Sequence, residues 1–288
     1  MWVIFLEKEA VLLAASTQAK WRYRDQLWLA LWLRTVAAAE IATWDWLRLD
    51  RCLLASWPQR PERLQATPRP QTPFLTILDQ VYPQGLAEIY RPPLILYYQG
   101  NLELLATPKL AIVGARACTN YTQYCLRRLI PPLVQNQITI VSGLAAGADQ
   151  LAHQETLLAH GQTIAVIGTG LDVYYPPANR SLQQLIGQKG LLLSEYPLGT
   201  APRRYHFPQR NRIIAGLSQG VLVTEAQHHS GSLITANLAL QENRNVYALP
   251  GNILQETSVG TNELLAAGAT PVLTAADLLV DFQDRRAK

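Results

Sequence analysis

The sequence predicts an α/β protein: a Rossmann-like, doubly wound, mainly parallel sheet behind a small N-terminal helical domain. Three observations carry this. All seven Trp fall within the first 57 of 288 residues. A Pro-rich stretch, Trp57–Pro73, follows. From Pro108 onward short apolar, β-branched runs alternate with helix-length segments. A composition shift that sharp marks a domain boundary. Strand–helix alternation gives a parallel sheet covered on both faces and joined by right-handed crossovers.

Taken in order, residues 1–66 read as a helical, Trp-rich domain. Trp28 and Trp32 stand four apart beside Leu27, Leu31 and Ala37–Ala39, a helical spacing. Tryptophan so placed is core packing before it is a base-stacking platform. Residues 67–106 read as a Pro-rich linker and lead-in, with one short strand near 94–98. Residues 107–288 read as the Rossmann-like domain. Its strands are expected at Leu110–Val113, Ile138–Val141, Thr163–Ile167, Leu191–Leu193, Gly220–Val223, Asn245–Ala248 and Pro271–Leu273. Between the first two, Tyr124, Leu126, Leu129, Ile130 and Leu133 mark an apolar helix face. Ligands of such a sheet sit at the carboxyl ends of its strands.

Composition narrows the function classes. Hydrophobic residues are 49% and charged residues 16%, which suits a large core and excludes intrinsic disorder. The formal charge of +4 is too small to announce a nucleic-acid partner; only clustering could. Cys52, Cys118 and Cys125 form no CxxC pair and no complete disulfide set, which fits reduced thiols in the cytoplasm. Met1–Leu6 is apolar, but Glu7, Lys8 and Glu9 follow at once, so no leader pattern is expected. Leu27–Leu33 is far shorter than the roughly 20 residues that span a bilayer.

The chemistry lies in the loops. Gly114 and Arg116 follow the first strand of the large domain, where a glycine turns the chain tightly and an arginine reaches the ligand edge. Ser142, Gly143 and Gly147 follow the second, leaving backbone N–H groups near a helix start, which suits an anion. Asp149 and His153 share a helix face; with no third ligand, capping or packing outweighs a metal pair. Gly168-Thr169-Gly170 is only part of a dinucleotide fingerprint, and Tyr174-Tyr175-Pro176-Pro177 is a rim or a plain turn. Arg203, Arg204, Arg210 and Arg212 crowd one segment with Tyr205 and Phe207 between them, and no acid occurs between Glu195 and Glu225. Arginine forks onto phosphate, and aromatic faces stack on unpaired bases, which together is what a single strand asks of a protein. Ser230-Gly231-Ser232 opens a helix with bare N–H groups, and Glu225 could pair with an arginine or touch a ribose. No P-loop, zinc spacing, GxSxG elbow or paired catalytic carboxylates appear, so neither a catalytic set nor a metal or cofactor is expected.

In this order the loops resemble the DNA processing protein A (DprA/Smf) family. The resemblance rests on Ile112–Arg116, Val141–Ala145 with Gly147, Asp149 and His153, Gly161–Asp172, Phe207-Pro208-Gln209-Arg210-Asn211-Arg212, Ser230–Thr235 and Pro250-Gly251. It runs from about Ile77 to about residue 280 and implies an extended Rossmann fold that binds single-stranded DNA without hydrolysing it. It further implies a cytoplasmic homodimer that protects incoming DNA in natural transformation and loads the RecA recombinase. The family's DNA pocket maps to Arg116, Arg204, Phe207, Arg210, Arg212, Ser230, Gly231 and Ser232. With the neighbouring Gly114, Ser142, Gly143 and Asn211 these make the candidate DNA-binding set. Pro177 stands where some relatives carry a basic residue, with Arg180 as a substitute. The N-terminal part lacks the helix-hairpin-helix-like glycine signature and reads as a shortened SAM-like domain. No winged-helix tail of the kind some relatives carry is expected.

Two other classes stay open. A phosphoribohydrolase-like nucleotide enzyme would use a Pro-Gly-Gly-x-Gly-Thr-x-x-Glu turn, but here Pro250-Gly251-Asn252 and Gly260-Thr261-Asn262-Glu263 are split. A mononucleotide sensor would bind without turnover. Residues 260–282, with Leu264, Leu265, Val272, Leu273, Leu278 and Leu279, suit a dimer face or ordinary core equally. On the leading reading Arg210 grips a phosphate, and its removal lowers the log–log salt slope by about 0.7.

Overall fold

The computed structural model describes residues 7–68 and 70–283; Met1–Leu6, Trp2 among them, and residues 284–288 lie outside the described residues. The chain forms two compact units, residues 1–82 with Pro93–Leu96, and Pro83–Pro92 with residues 97–288. No described helix is long and apolar enough to cross a membrane.

The first unit holds helices α1 (Lys8–Thr17), α2 (Tyr23–Thr35), α3 (Ala38–Ile41) and α4 (Trp46–Ser56). Asp45 starts α4 by accepting the Arg48 N–H at 2.6 Å. The tryptophans pack on one another. Trp28 stacks on Trp32 at 6.4 Å and meets Trp57 at 4.5 Å, while Trp57 meets Trp21 edge-on at 5.7 Å. Trp21 and Trp44 are buried with Leu29, Leu33, Leu49 and Leu53. Strand β1 (Phe74–Thr76) ends this unit's sequence run, and the next residue, Ile77, donates its N–H to the Leu94 carbonyl at 3.0 Å.

The second unit begins with the short helix α5 (Gln84–Ala87) and resumes at Tyr97, within strand β2 (Ile95–Gly100). Then follow β3 (Lys109–Val113), α6 (Asn120–Gln135), β4 (Thr139–Ser142), α7 (Ala148–Leu158) and β5 (Thr163–Ile167). After these come α8 (Arg180–Lys189), β6 (Leu191–Ser194), α9 (His206–Leu217), β7 (Gly220–Val223), α10 (Gly231–Gln241), β8 (Asn245–Ala248), α11 (Glu256–Ala266), β9 (Thr270–Pro271) and α12 (Ala275–Gln283). From β2 onward the strand order is β2-β6-β5-β4-β3-β7-β8-β9. Every neighbouring pair is parallel except β2 against β6, where Tyr97 opposes Ser194 and Gly100 opposes Leu191. This is the Rossmann-like, doubly wound arrangement. From β3 the chain steps outward through β4, β5 and β6, then returns to β3's other side for β7. That reversal opens a crevice at the carboxyl ends of β3, β4 and β7.

The strands form where the sequence is apolar on both faces: β3, β4, β5, β6 and β7 are buried throughout. Leu110, Ile112, Ile140 and Leu222 of the sheet pack with Leu126, Leu129 and Ile130 of α6 and with Leu278 and Phe282 of α12. Each such side chain contributes about 1.5–3 kcal/mol when fully buried. Three expectations change. Tyr124 is 62% exposed, because it sits on the face of α6 opposite the buried Leu126–Leu129–Ile130–Leu133 stripe. The lead-in carries β1 and a turn of helix as well as the strand expected near 94–98; at three residues, β1 is too short to show a period. The last strand is only Thr270–Pro271.

His153 on α7 is a fully buried example of the packing role. Its Nδ1 lies 2.7 Å from Thr163 Oγ1, whose own proton goes to the Ile140 carbonyl at 2.9 Å, so Nδ1 must be the donor; Nε2 is buried with no acceptor for a second proton among the described residues, which favours the neutral ring. Burial, with help from the Arg210 charge, lowers its pKa from 6.5 to about 3. Below 6.5 the unfolded chain takes a proton that the folded one refuses. The contribution of His153 to stability is therefore full above pH 6.5 and is lost as pH falls toward 3, by up to about 1.4 kcal/mol per pH unit. Urea titrations across that range should show this slope, and the loss should flatten in His153→Gln.

Candidate nucleic-acid interface

At the crevice the loops after β3, β4 and β7 and the starts of α9 and α10 enclose a cleft of about 770 Å³. Gly114, Arg116, Arg204, Phe207, Arg210, Asn211, Ser230, Gly231 and Ser232 all line it. Ser142, Gly143 and Arg212 do not. Ser142 is fully buried and donates its hydroxyl to the Ile112 carbonyl at 2.6 Å, a tie between neighbouring strands. Gly143 lies beneath the cleft, in the wall of a small side niche.

The arginines divide by what already holds them. Arg210 is 5% exposed. Its Nη1 donates to the carbonyls of Gly143 and Val166, and its Nε to Asn211 Oδ1 at 3.1 Å. A side chain at Gly143 would put its Cβ 2.3 Å from that guanidinium, so the glycine is what admits it. Burial lowers the Arg210 pKa to about 10, which still leaves it charged at neutral pH, and Asp149 opposes that shift. Asp149 is itself buried and accepts the N–H groups of Gly143 (3.1 Å) and Ala145 (3.4 Å); burial raises its pKa while Arg210 and these N–H groups resist. Arg212 gives both Glu195 oxygens a hydrogen bond at 2.6 Å, with its side chain only 15% exposed. The phosphate role expected from sequence for Arg210 thus meets a guanidinium committed to protein carbonyls, and that for Arg212 meets one committed to a carboxylate.

Arg116 and Arg204 remain. Both are exposed, and neither has an ion-pair partner among the described residues. Arg116 lies over the Phe207 ring at 5.7 Å, and Tyr175 meets the same ring at 5.3 Å. Phe207 is half-buried, so the three form a partly wet platform, with the two rings tilted by 33°. Across the cleft Ser230 precedes α10 but does not cap it. Its hydroxyl pairs with Ser232 Oγ at 2.7 Å, which leaves the first N–H groups of the helix to a ligand. Asn211 reaches the Gly231 carbonyl at 3.5 Å and so bridges α9 to that turn. Cations, an aromatic face and a bare helix start converge on one space, which suits a phosphate with an unpaired base beside it.

Glu225 meets no arginine: it is held by the Thr119 N–H (2.8 Å) and hydroxyl (3.0 Å) and by the Thr122 hydroxyl (2.7 Å). Tyr175, from the turn read as a rim or a plain turn, lines the cleft, and so does Thr257, which was not singled out from the sequence. Their common signal is position, each following the carboxyl end of a parallel strand.

Residues 73–283 match the model of the family described as DNA recombination-mediator protein A. The chain is 51% identical over 211 residues to the DNA processing protein DprA of Streptococcus pneumoniae, covering 73% of this chain and 74% of that one. The crystal structure of DprA from Streptococcus pneumoniae superposes with a TM-score of 0.72 at 41% identity, covering 94% of this chain and 92% of that chain. A DprA structure from Helicobacter pylori, described for its single-stranded DNA binding mode, superposes with a TM-score of 0.66 at 33% identity, covering 75% of this chain and 98% of its own.

The geometry separates strut from contact. Arg210→Ala strands two buried carbonyls and the Asp149 carboxylate and should cost about 3–5 kcal/mol of folding stability. Arg116→Ala should stay within about 0.5 kcal/mol of the parent. Chemical denaturation of the two variants measures both, and equal midpoints would refute the distinction.

Proposed function

Because the chain belongs to the DNA recombination-mediator protein A family, we propose that its cleft binds single-stranded DNA without hydrolysing it, and that the protein serves DNA recombination. On this reading it protects incoming single strands during natural transformation and passes them to the RecA recombinase, working as a homodimer in the cytoplasm. The observation that carries the reading is the platform of Arg116, Phe207 and Tyr175 facing the uncapped start of α10.

The geometry divides the labour of binding. Backbone N–H groups at Gly231 and Ser232, with Arg116 and Arg204, take phosphate charge. Phe207 takes a base by its face, which every base has, so binding would be tolerant of sequence. Asp149 is an acceptor of two backbone N–H groups, and the neutral His153 is buried against Thr163; neither is poised to move a proton on a substrate. For the homodimer, Val272 and Leu278 belong to the core, whereas Leu273 and Val280 are 77% and 60% exposed and are available to a second copy.

Fluorescence anisotropy with single- and double-stranded oligonucleotides at two salt concentrations, with AMP and ATP as competitors, tests the reading. A preference for the single strand without mononucleotide competition is expected. Competition by mononucleotides would favour a sensor, and their turnover an enzyme. Phe207→Ala should cost about 1–3 kcal/mol of binding. Arg116→Ala should lower the log–log salt slope by about 0.7, one phosphate contact on a single strand. Arg212→Ala should leave that slope unchanged, since its charge is already matched by Glu195.

A further inference from the structure

A second cleft, of about 500 Å³, lies along the same carboxyl edge. Its walls are the start of α6 (Thr119, Tyr121), the end of β7 (Glu225), and the loop and first turn after β8 (Gly251, Thr257, Ser258). Thr257 lines both this cleft and the arginine cleft, so a strand leaving one enters the other across it.

The chemistry of the two is opposite. No lysine or arginine lines the second cleft, and its one carboxylate, Glu225, is 2% exposed and saturated by the threonines that hold it. Such a space offers a phosphate no counter-charge and a like charge nearby. It does suit a flat, neutral, hydrogen-bonding body. Tyr121 is fixed at both ends, its hydroxyl donating to the Pro250 carbonyl at 2.6 Å and its N–H to Thr119 Oγ1 at 3.1 Å, yet the residue is 39% exposed. A ring so held loses no freedom on stacking. Ser258 is only 5% exposed, and its hydroxyl has no hydrogen-bond partner among the described residues. It packs where a Cβ on Gly251 would come within 2.1 Å of its Oγ, so the glycine is what makes room for it. A hydroxyl without a protein partner in a cleft wall is a group left for a ligand atom.

We propose that the second cleft takes the base and sugar of the next nucleotide of the same single strand whose phosphates the arginine cleft holds. The inference rests on the single-strand reading above and extends it to a two-part track, charge first and stacking second.

The test titrates the whole chain with oligothymidylates lengthened one nucleotide at a time, at two salt concentrations. At one length the affinity should rise by about 5- to 150-fold, the gain of one stacked base, without a matching rise in salt slope. Tyr121→Ala should erase that step and leave shorter oligonucleotides bound as before, while Tyr121→Phe, which keeps the ring, should retain it. A salt slope that climbs with the step would overturn the proposal. So would Tyr121→Ala binding that parallels the parent at every length, or that is weakened equally at every length. Either of those results leaves the arginine cleft standing. Failure of the parent chain to bind at any length, by contrast, overturns both readings together.

Discussion

The Arg210 guanidinium occupies the space that a side chain at Gly143 would fill, and it donates to the carbonyls of Gly143 and Val166. Those carbonyls belong to the end of β5 and the loop after β4, while Arg210 itself is on α9. One buried cation therefore pins a helix to the open ends of two strands. Phe207 stands one helical turn before it and Asn211 beside it, so the aromatic platform and the bridge to α10 both inherit their position from this pin. Burying the charge is expensive, and the cost is met by carbonyl oxygens, by Asp149 nearby and by the rigidity that the fixed helix gives the cleft.

A run of arginines is thus a poor count of phosphate contacts. Within one short segment, one guanidinium is a strut, one is neutralised by Glu195, and one stands in solvent at the cleft rim. A matched ion has little left to give a ligand, whereas an exposed one loses only loosely held water on binding. The net attraction of the cleft comes from Arg116, Arg204 and the dipole at the start of α10, a modest field in keeping with the chain's small net charge.

How far the sequence could be read follows the same division. The central strands were legible because they are buried on both faces and leave unbroken apolar runs, as in Thr163–Ile167. The position of the cleft was legible because strand alternation places ligands at one edge, and Phe207 was legible from its setting among arginines. The separate duties of Arg210 and Arg212 were not. They depend on Gly143, Val166 and Glu195, brought near only by the sheet, and nothing local distinguishes one arginine from the other. Thr257 escaped for a similar reason: it lies in the first turn of α11, and only the sheet brings it to the cleft. Ser230 has the type and position of a helix cap, yet its hydroxyl turns to Ser232 instead.

The confinement of every described tryptophan to the first unit divides the molecule optically. The cleft is built with phenylalanine and tyrosine, which emit weakly beside indole. Intrinsic fluorescence on long-wavelength excitation therefore reports the indole cluster that includes Trp28, Trp32 and Trp57 and is blind to the second unit's own side chains. Loss of the indole packing and loss of the sheet are separate spectroscopic events, one followed by emission and the other by far-ultraviolet dichroism. The protein carries its own probe of whether its two units melt as one.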